Sequence, residues 1–352
     1  MKNKCDIIWL QNIDSTNEEA RRRISECDNL SVLSVLQQTA GRGQRGNTWS
    51  SSPGQNLTFS IVLKFSVPGN TEEILPPVKA YDQFVLTEIA SVSMVSFLFK
   101  HGIEANIKWP NDIYVGCRKI CGMLIENSVR GSYLSSSIIG IGLNINQKNF
   151  DVNIPNPISM TLCRANQQFD IHLCLEEFIE IFKEKLIRYL TYQSETERSD
   201  SYTDLRETYL SNLWLLDEQA HFHDTASSRD FKGIIRGLSP IGLLLIEDTE
   251  KGELIEFAFK EISYILWWYY PLRDAMTSAG SSDLKTALPA TSISAPASIS
   301  CLALAGHTPP SISILTSNPW RSISALSVRM RSNVSSMNFC PPKPAYTDIR
   351  MI

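Results

Sequence analysis

The stretch QQTAGRGQRGNTW, residues 37–49, brings three glycines together with two arginines and contains no acid. Glycine has no Cβ, so backbone N–H groups in such a loop can approach an anion closely. The guanidinium groups of Arg42 and Arg45 offer forked donors that match phosphate or carboxylate oxygens. The nearest acids along the chain are Asp28 and Glu72. We interpret the stretch as an anion-binding loop, although glycine clusters also form plain hairpin connections.

The flanking sequence separates this loop from two known glycine motifs. Gly41-x-Gly43-x-x-Gly46 has the spacing of a dinucleotide fingerprint, which requires a helix at the last glycine and an acid about 20 residues later. Residues 48–54 instead continue as loop, and residues 57–63 have the composition of a strand. No Gly-Lys-Ser/Thr follows, which excludes a P-loop. The glycines are therefore predicted to connect two strands.

A second pair of stretches is IKWPNDIYV, residues 107–115, followed by RKICGMLIE, residues 118–126. With the first loop, they resemble the signatures of the biotin-protein ligases: a Gly-Arg-Gly loop after Gln-Thr-Ala, then Lys-Trp-Pro-Asn-Asp, then Lys-x-x-Gly. Two further matches lie in the family's order, DSTN at residues 14–17 and IGIGLNIN at residues 139–146. The resemblance covers residues 7–266.

The resemblance implies an α+β fold for residues 1–212, a class II synthetase-like catalytic domain of the biotin/lipoate ligase type with a mixed sheet. Short apolar runs punctuated by glycines predict a small β-barrel in residues 213–266, where the family has an SH3-like domain. The predicted strands cover residues 6–11, 32–37, 57–63, 105–109, 112–115, 119–126 and 136–144. The predicted helices run from residue 15 or 16 to about 23, from 84 to 100, and from 175 to 190.

The composition changes after residue 270. Residues 286–320 contain no Asp, Glu, Lys or Arg, and Ser, Ala and Pro dominate. Residues 267–352 are predicted to be a low-complexity, disordered tail outside the family fold. A functional appendage and a read-through C-terminus would both produce such a segment.

Charge and cysteine content exclude several classes of function. The net charge of −4 disfavours a general nucleic-acid binder. Eight cysteines without a Cys-x-x-Cys pair or a signal peptide indicate reduced thiols and a cytoplasmic location. Cys117 and Cys121 lack partner ligands, so no metal site is predicted. No apolar run is expected to span a membrane, and too few residues precede the first strand for an N-terminal DNA-binding domain.

The resemblance implies a two-step reaction. Biotin and ATP, with Mg²⁺, give biotinyl-5′-AMP, which then acylates one lysine of a biotin carboxyl carrier domain of a biotin-dependent carboxylase. That carrier is the expected partner, DNA and membranes are not, and a homodimer is a candidate assembly.

The motif positions assign a role to each site residue. The biotin contacts are Ser15, Thr16, Asn17, Gln38, Arg42, Gly43, Gln44, Lys119 and Gly122. The nucleotide contacts are Arg42, Arg45, Trp49, Lys108, Asn111 and Asn144. The catalytic residues are Arg42, Lys108, Asp112 and Lys119. Cations are needed because the first step joins two anions. Asp112 is assigned to orient the acceptor lysine and receive its proton.

Plainer roles compete with some of these assignments. Ser15 or Thr16 could serve only as a helix cap, and Asn111 with Asp112 could serve only as a turn. Gln44 stands where the family commonly has arginine; it can donate to an oxygen but carries no charge. Adenylate retention is then weaker, or Arg45 replaces that arginine. The alternative functions are a lipoate/octanoate-protein ligase, whose Arg-Arg-x-x-Gly-Gly-Gly segment is absent, and a catalytically weak biotin-binding protein.

Overall fold

The structure, a computed structural model, describes residues 6–43, 46–67, 75–192 and 194–265, and also residues 328–329 and 347–350. The helices are α1 (Thr16–Arg22), α2 (Phe84–Lys100), α3 (Met160–Cys163), α4 (Ile171–Leu190) and α5 (Glu195–Ser211). The first strands are β1 (Ile7–Ile13), β2 (Val32–Gln38), β3 (Leu57–Lys64), β4 (Asn106–Lys108), β5 (Asp112–Val115), β6 (Arg118–Arg130) and β7 (Tyr133–Leu143). The later strands are β8 (Gln219–Asp224), β9 (Arg229–Leu238), β10 (Leu244–Asp248), β11 (Glu253–Phe257), β12 (Ile262–Ile265), β13 (Val328–Arg329) and β14 (Thr347–Arg350).

One mixed sheet carries most of the predicted site residues. Its strand order is β1-β2-β3-β7-β6-β5-β4, and β14 pairs with β6 beside this path. β1 and β2 run parallel, whereas β3 is antiparallel to β2 and β7. β6 is antiparallel to β7 and β5, and β5 to β4. The predicted α+β fold with a mixed sheet is confirmed.

Helices α2 and α4 meet the sheet through aromatic side chains. The ring of Phe178 on α4 lies 5.5 Å from the ring of Phe59 on β3 and 6.1 Å from that of Phe97 on α2, between ring centroids. All three side chains are fully buried. Both contacts are edge-to-face, a favoured arrangement of aromatic pairs. This cluster fixes the helical layer on the strands that carry the site.

The apolar helix ending at Lys100 corrects one expectation from the sequence. Ala80–Lys100 is long and apolar enough to span a membrane by length and composition, so the expectation that no run qualifies is wrong. Within the structure, 78% of its most apolar window is buried. Its C-terminal part, α2, contacts α4, α5, β4 and β5. A helix surrounded in this way is apolar on most faces because each face is a core face.

The two helices after residue 170 differ in how well the sequence predicted them. Helix α4 is confirmed, and it begins before the predicted residue 175 because Asp170 caps it. The Asp170 carboxylate accepts hydrogen bonds from the N–H groups of His172 and Leu173. Helix α5 was not predicted; it buries only Leu205 and Tyr209.

A second sheet has the strand order β12-β8-β9-β10-β11-β13. The chain divides into two compact units. The first includes Met1–Leu216 and Arg236–Leu244, and the second includes Asp217–Ile235 and Leu245–Arg331. The turn between β9 and β10 therefore belongs to the first unit. The domain boundaries at residues 212, 213 and 266 and the SH3-like barrel stay predictions.

The predicted tail, residues 267–352, lies outside the described residues except for two short strands. β13 pairs in parallel with β11, and β14 pairs antiparallel with β6. The sequence predicted neither strand. The assignment of this tail as disordered stays a prediction for the remaining residues.

Candidate active site

The glycine/arginine loop closes on itself between β2 and β3. Trp49 N donates a 3.0 Å hydrogen bond to Gly41 O, and Gly43 N donates a 2.7 Å hydrogen bond to Asn47 O. A Cβ added at Gly41 would lie 2.3 Å from Trp49 O, so this position requires glycine. The prediction that the glycines connect two strands is confirmed. The N–H of Gly43, a predicted biotin contact, is used within the loop.

The β1–α1 corner holds three predicted biotin contacts. Ser15, Thr16 and Asn17 are each only 3% exposed. Ser15 is the N-cap residue of α1, but its side chain makes no capping hydrogen bond. Thr16 N donates a 2.7 Å hydrogen bond to Gln38 Oε1. This bond joins the corner to the end of β2, where the glycine/arginine loop begins.

The side chain of Asn17 is engaged by the protein itself. Its Nδ2 donates to Leu124 O at 3.2 Å and to Glu126 Oε2 at 3.0 Å, while its Oδ1 accepts from Ser60 Oγ at 2.6 Å. Gly140 leaves room for the amide, because a Cβ there would lie 2.2 Å from Asn17 Oδ1. Both amide donors and the amide oxygen are thus used. These bonds fix the orientation of the Asn17 amide, and its assignment as a biotin contact stays a prediction.

Arg42 is paired with two acids that sequence reasoning missed. It forms an ion pair with Glu18, and its Nη2 lies 3.7 Å from Glu126 Oε1. Arg21 contacts the same two carboxylates, at 2.7 Å from Glu18 and 2.8 Å from Glu126. Glu126 is 7% exposed, so solvent screens this cluster weakly. A ligand carboxylate must compete with both acids for Arg42.

Lys119 and Asp112 form the second charged contact of the site. Lys119 Nζ lies 2.7 Å from Asp112 Oδ1, and both side chains are about one-third exposed. Asp112 opens β5 and Lys119 is the second residue of β6, so strand pairing brings them together. A Cβ at Gly122 would lie 3.0 Å from Lys119 Nζ. Glycine therefore leaves space beside the amine.

Trp49 lies against the glycines of β6 and β7. A Cβ at Gly142 would lie 2.2 Å from the indole, and one at Gly122 would lie 3.3 Å from it. The indole nitrogen is buried without a hydrogen-bond partner among the described residues. These contacts place the indole in a slot beside Lys119. We call the surface around Gly122 and Gly142 the glycine slot.

Lys108 is held in an aromatic environment. Its Nζ donates a 3.3 Å hydrogen bond to Tyr114 OH and lies 4.9 Å from the Tyr114 ring centroid and 5.9 Å from that of Trp214. Burial lowers the pKa of Lys108, Lys119 lowers it further, and Asp112 acts in the opposite direction. Burial also raises the pKa of Tyr114. Lys108 thus releases its proton more readily than an exposed lysine.

Asn111 and Asn144, two predicted nucleotide contacts, are buried and bonded to backbone. Asn111 Nδ2 donates to Met123 O at 3.3 Å, and Asn144 Nδ2 donates to Ile158 O at 3.0 Å. Their exposures are 3% and 4%. The amides tie their own segments to neighbouring backbone, and their assignment to the nucleotide stays a prediction.

Contacts connect most predicted site residues into one region. Thr16 meets Gln38, the loop after Gln38 carries Arg42 and Trp49, and Trp49 lies beside Lys119 with its partner Asp112. Gln44 and Arg45 lie outside the described residues. The neighbours to which sequence reasoning gave no site role are Glu18, Arg21, Ser60, Tyr114, Glu126, Gly140, Gly142, Tyr209, Trp214 and Gly242. For Glu126 the sequence did contain a signal, because an acid stands at the end of the otherwise apolar stretch 120–126.

Metal-binding side chains are sparse in the described parts of the chain. No group of three or more His, Cys, Asp or Glu residues there could hold a metal ion. Mg²⁺ in nucleotide sites is commonly bound by one or two carboxylates together with substrate phosphates.

Comparisons with known proteins agree with this geometry. Residues 9–144, which span the β1–α1 corner, the glycine/arginine loop and the Lys119–Asp112 pair, match the biotin/lipoate A/B protein ligase family. The fold and the residues of this segment are thus similar to those of the catalytic domain of the biotin/lipoate A/B protein ligases.

The chain is also similar to individual ligases. The chain is 27% identical over 248 residues to the bifunctional ligase/repressor BirA of Bacillus spizizenii, covering 69% of this chain and 70% of the relative. It is 30% identical over 139 residues to the biotin--[acetyl-CoA-carboxylase] ligase of Paracoccus denitrificans, covering 39% and 53%. The solved biotin protein ligase of Aquifex aeolicus in complex with biotin and ATP matches with a TM-score of 0.57 and 25% identity, covering 74% of this chain and 98% of that chain.

Proposed function

We propose that this protein is a biotin-protein ligase, which activates biotin with ATP and transfers it to a lysine of a biotin carboxyl carrier domain. One observation carries the proposal: Thr16 is bonded to Gln38, the loop after Gln38 carries Arg42 and Trp49, and Trp49 lies in the glycine slot beside Lys119 and its partner Asp112. The names of the relatives support the substrates, because they include ligases for acetyl-CoA carboxylase and a complex with biotin and ATP.

The first half-reaction joins two anions. A biotin carboxylate oxygen attacks the α-phosphorus of ATP, the bond to the β-phosphate oxygen breaks, and pyrophosphate leaves. Lys119 beside the glycine slot and Arg42 on the loop supply positive charge where the repulsion and the developing charge lie. Mg²⁺ is proposed to enter as part of the MgATP substrate and to offset phosphate charge.

The second half-reaction is an acyl transfer. The acceptor amine attacks the acyl carbon, the bond to the AMP oxygen breaks, and the amine loses a proton. An exposed lysine has a pKa near 10.4, roughly 3.4 units above neutrality, so deprotonation costs roughly 4.6 kcal/mol. The Asp112 carboxylate can receive this proton. The cations Lys108 and Lys119 near Asp112 disfavour a further positive charge there.

The finer points belong to the same proposal. The acceptor is a carrier domain of a biotin-dependent carboxylase, the ligase acts in the cytoplasm, and residues 213–266 form an SH3-like barrel. The second sheet, formed from β8 onward, supports the last point. Free cysteines at five described positions support a reducing location. A homodimer is compatible with the proposal, and neither DNA nor a membrane has a role in it.

Exchange of labelled pyrophosphate into ATP tests the proposal, because exchange requires reversible acyl-adenylate formation. We expect exchange when biotin is added, and none with lipoate or octanoate. Exchange with lipoate or octanoate alone would identify the rival ligase. Biotin binding without exchange would favour a catalytically weak biotin-binding protein.

A further inference from the structure

The turn between β9 and β10, residues 239–242, contacts the segment that joins Lys108 to Asp112. Trp109 Nε1 donates a 2.9 Å hydrogen bond to Gly242 O. Trp109 is 6% exposed and Gly242 is buried, so water does not compete for this bond. Trp109, which lies in the Lys-Trp-Pro-Asn-Asp motif, is thus bonded to a turn that is far from it in sequence.

Tyr209 of α5 supplies a second support. Its hydroxyl donates a 2.7 Å hydrogen bond to Pro110 O, and the side chain is fully buried. Asn111 Nδ2 donates to Met123 O. Hydrogen bonds thus hold residues 109, 110 and 111, and the charged residues Lys108 and Asp112 flank this segment. Its geometry therefore depends on Tyr209 and the turn as well as on the sheet.

The turn itself is held tightly. Arg206 Nη1 donates to Ser239 O at 2.8 Å, and Arg206 also forms an ion pair with buried Glu88 on α2. Gly242 has φ +88°, and a Cβ there would lie 2.3 Å from Phe84 Cγ. A side chain at this position would therefore have to shift Phe84 or the turn. Small displacements of the turn act directly on Trp109.

We propose that Tyr209 and the β9–β10 turn, through Gly242, are positioning elements for the ligase reaction. They hold residues 109–111 so that Lys108 and Asp112 meet the reacting groups. Neither Tyr209 nor Gly242 belongs to the substrate contacts, so they act through the segment that they hold. The inference rests on the proposed function. Misplacement of catalytic groups by about 1 Å can slow an enzyme about 100-fold.

The variants Gly242→Ala and Tyr209→Phe test this role, with Gly252→Ala as the matched control. Gly252 also has a left-handed φ, +66°, but nothing lies within 4 Å of an added Cβ. We expect both test variants to lower kcat for transfer from biotinyl-5′-AMP at least about tenfold. The dissociation constant for biotin, measured separately, should stay unchanged, since biotin is assigned to residues of the β1–α1 corner and the glycine slot. Gly252→Ala should keep the wild-type kcat.

A second measurement follows the hydrogen bond from Trp109 to Gly242 directly and does not require enzyme activity. The indole N–H of Trp109 should exchange slowly with solvent in the wild-type protein and faster in Gly242→Ala, as followed by NMR. Equal kcat values for Gly242→Ala, Tyr209→Phe and Gly252→Ala, or rapid indole exchange in the wild type, would overturn the inference. If Gly242→Ala does not fold, Tyr209→Phe decides through its kcat for transfer and its dissociation constant for biotin. A wild-type protein that forms no adenylate would refute the proposed function. The exchange of the indole N–H would then still test whether the turn holds Trp109.

Discussion

Lys119 and Asp112 are in direct contact, with Nζ 2.7 Å from Oδ1. The first residue is the cation assigned to biotin activation, and the second is the carboxylate assigned to transfer. Their ion pair forms across the neighbouring strands β5 and β6. The two half-reactions are therefore expected to share one charged pair, so that changing either residue affects both steps to different degrees.

Replacing Lys119 with alanine should lower biotin-dependent pyrophosphate exchange about 100- to 1,000-fold, because a preorganised cation at the reacting oxygens is lost. The fold should survive, since the side chain is about one-third exposed. Lys183→Ala is the control, as Lys183 forms an exposed-face ion pair with Glu180 on α4. Exchange close to the wild-type rate in Lys119→Ala would remove Lys119 from the first step.

Asp112→Asn should slow transfer from preformed biotinyl-5′-AMP more than adenylate synthesis. Asparagine accepts no proton from the acceptor amine, and it also leaves Lys119 without its ionic partner. Raising the pH should relieve part of the transfer defect, because more acceptor amine is then already neutral. Single-turnover rates of the two half-reactions measure the difference. Equal losses in both, or a defect independent of pH, would assign Asp112 to positioning only.

The buried carboxyl of Glu88 makes stability depend on pH. Burial raises its pKa from 4.5 to about 7, against the opposing effect of Arg206. Between these values the folded state binds a proton that the unfolded state releases, so this group's contribution to stability falls as pH rises through the window. Glu88→Gln removes the titration. The melting temperature of the variant, minus that of the wild type, should therefore increase from about pH 5 to about pH 8.

Glu180→Gln provides the comparison for this titration. Glu180 is 71% exposed, so the same substitution there should change the melting temperature little. A Glu88→Gln difference that is constant or decreases with pH would contradict the titration assigned to Glu88.

Two glycines of β7 should respond differently to an added methyl group. Gly140→Ala would place Cβ 2.2 Å from Asn17 Oδ1, within a buried network that cannot easily move. Gly142→Ala would meet the Trp49 indole, which belongs to a loop. We expect Gly140→Ala to destabilise the fold by about 1–3 kcal/mol. Gly142→Ala should change stability less but expose Trp49, as shown by its fluorescence. If Gly140→Ala and Gly142→Ala destabilised the fold equally, the difference expected between the two sites would be contradicted.

Local patterns in the sequence predicted much of the fold. Helix α4 was evident because Leu175, Phe178 and Phe182 repeat at helical spacing and are buried as expected. Helix α5 was missed because it buries only Leu205 and Tyr209, which leaves no apolar stripe.

The site was predicted through its motifs, whereas the partners of the motif residues were not. Arg42 was assigned to a ligand, but its contacts with Glu18 and Glu126 depend on the pairing of distant segments. The contact between Trp109 and Gly242 joins residues far apart in sequence. Such contacts are set by tertiary packing, and periodicity or residue type at one position contains no information about them.

The most direct test of the central claim is transfer of biotin to a carrier lysine. The 352-residue chain, biotin and MgATP are incubated with a biotin carboxyl carrier domain, and the carrier is analysed by intact mass and peptide mapping. A carrier variant with the acceptor lysine changed to arginine is the control. We predict one biotinyl group on the acceptor lysine of the native carrier, dependent on ATP, and none on the variant. An unmodified carrier, or modification by lipoate or octanoate in place of biotin, would contradict the assignment.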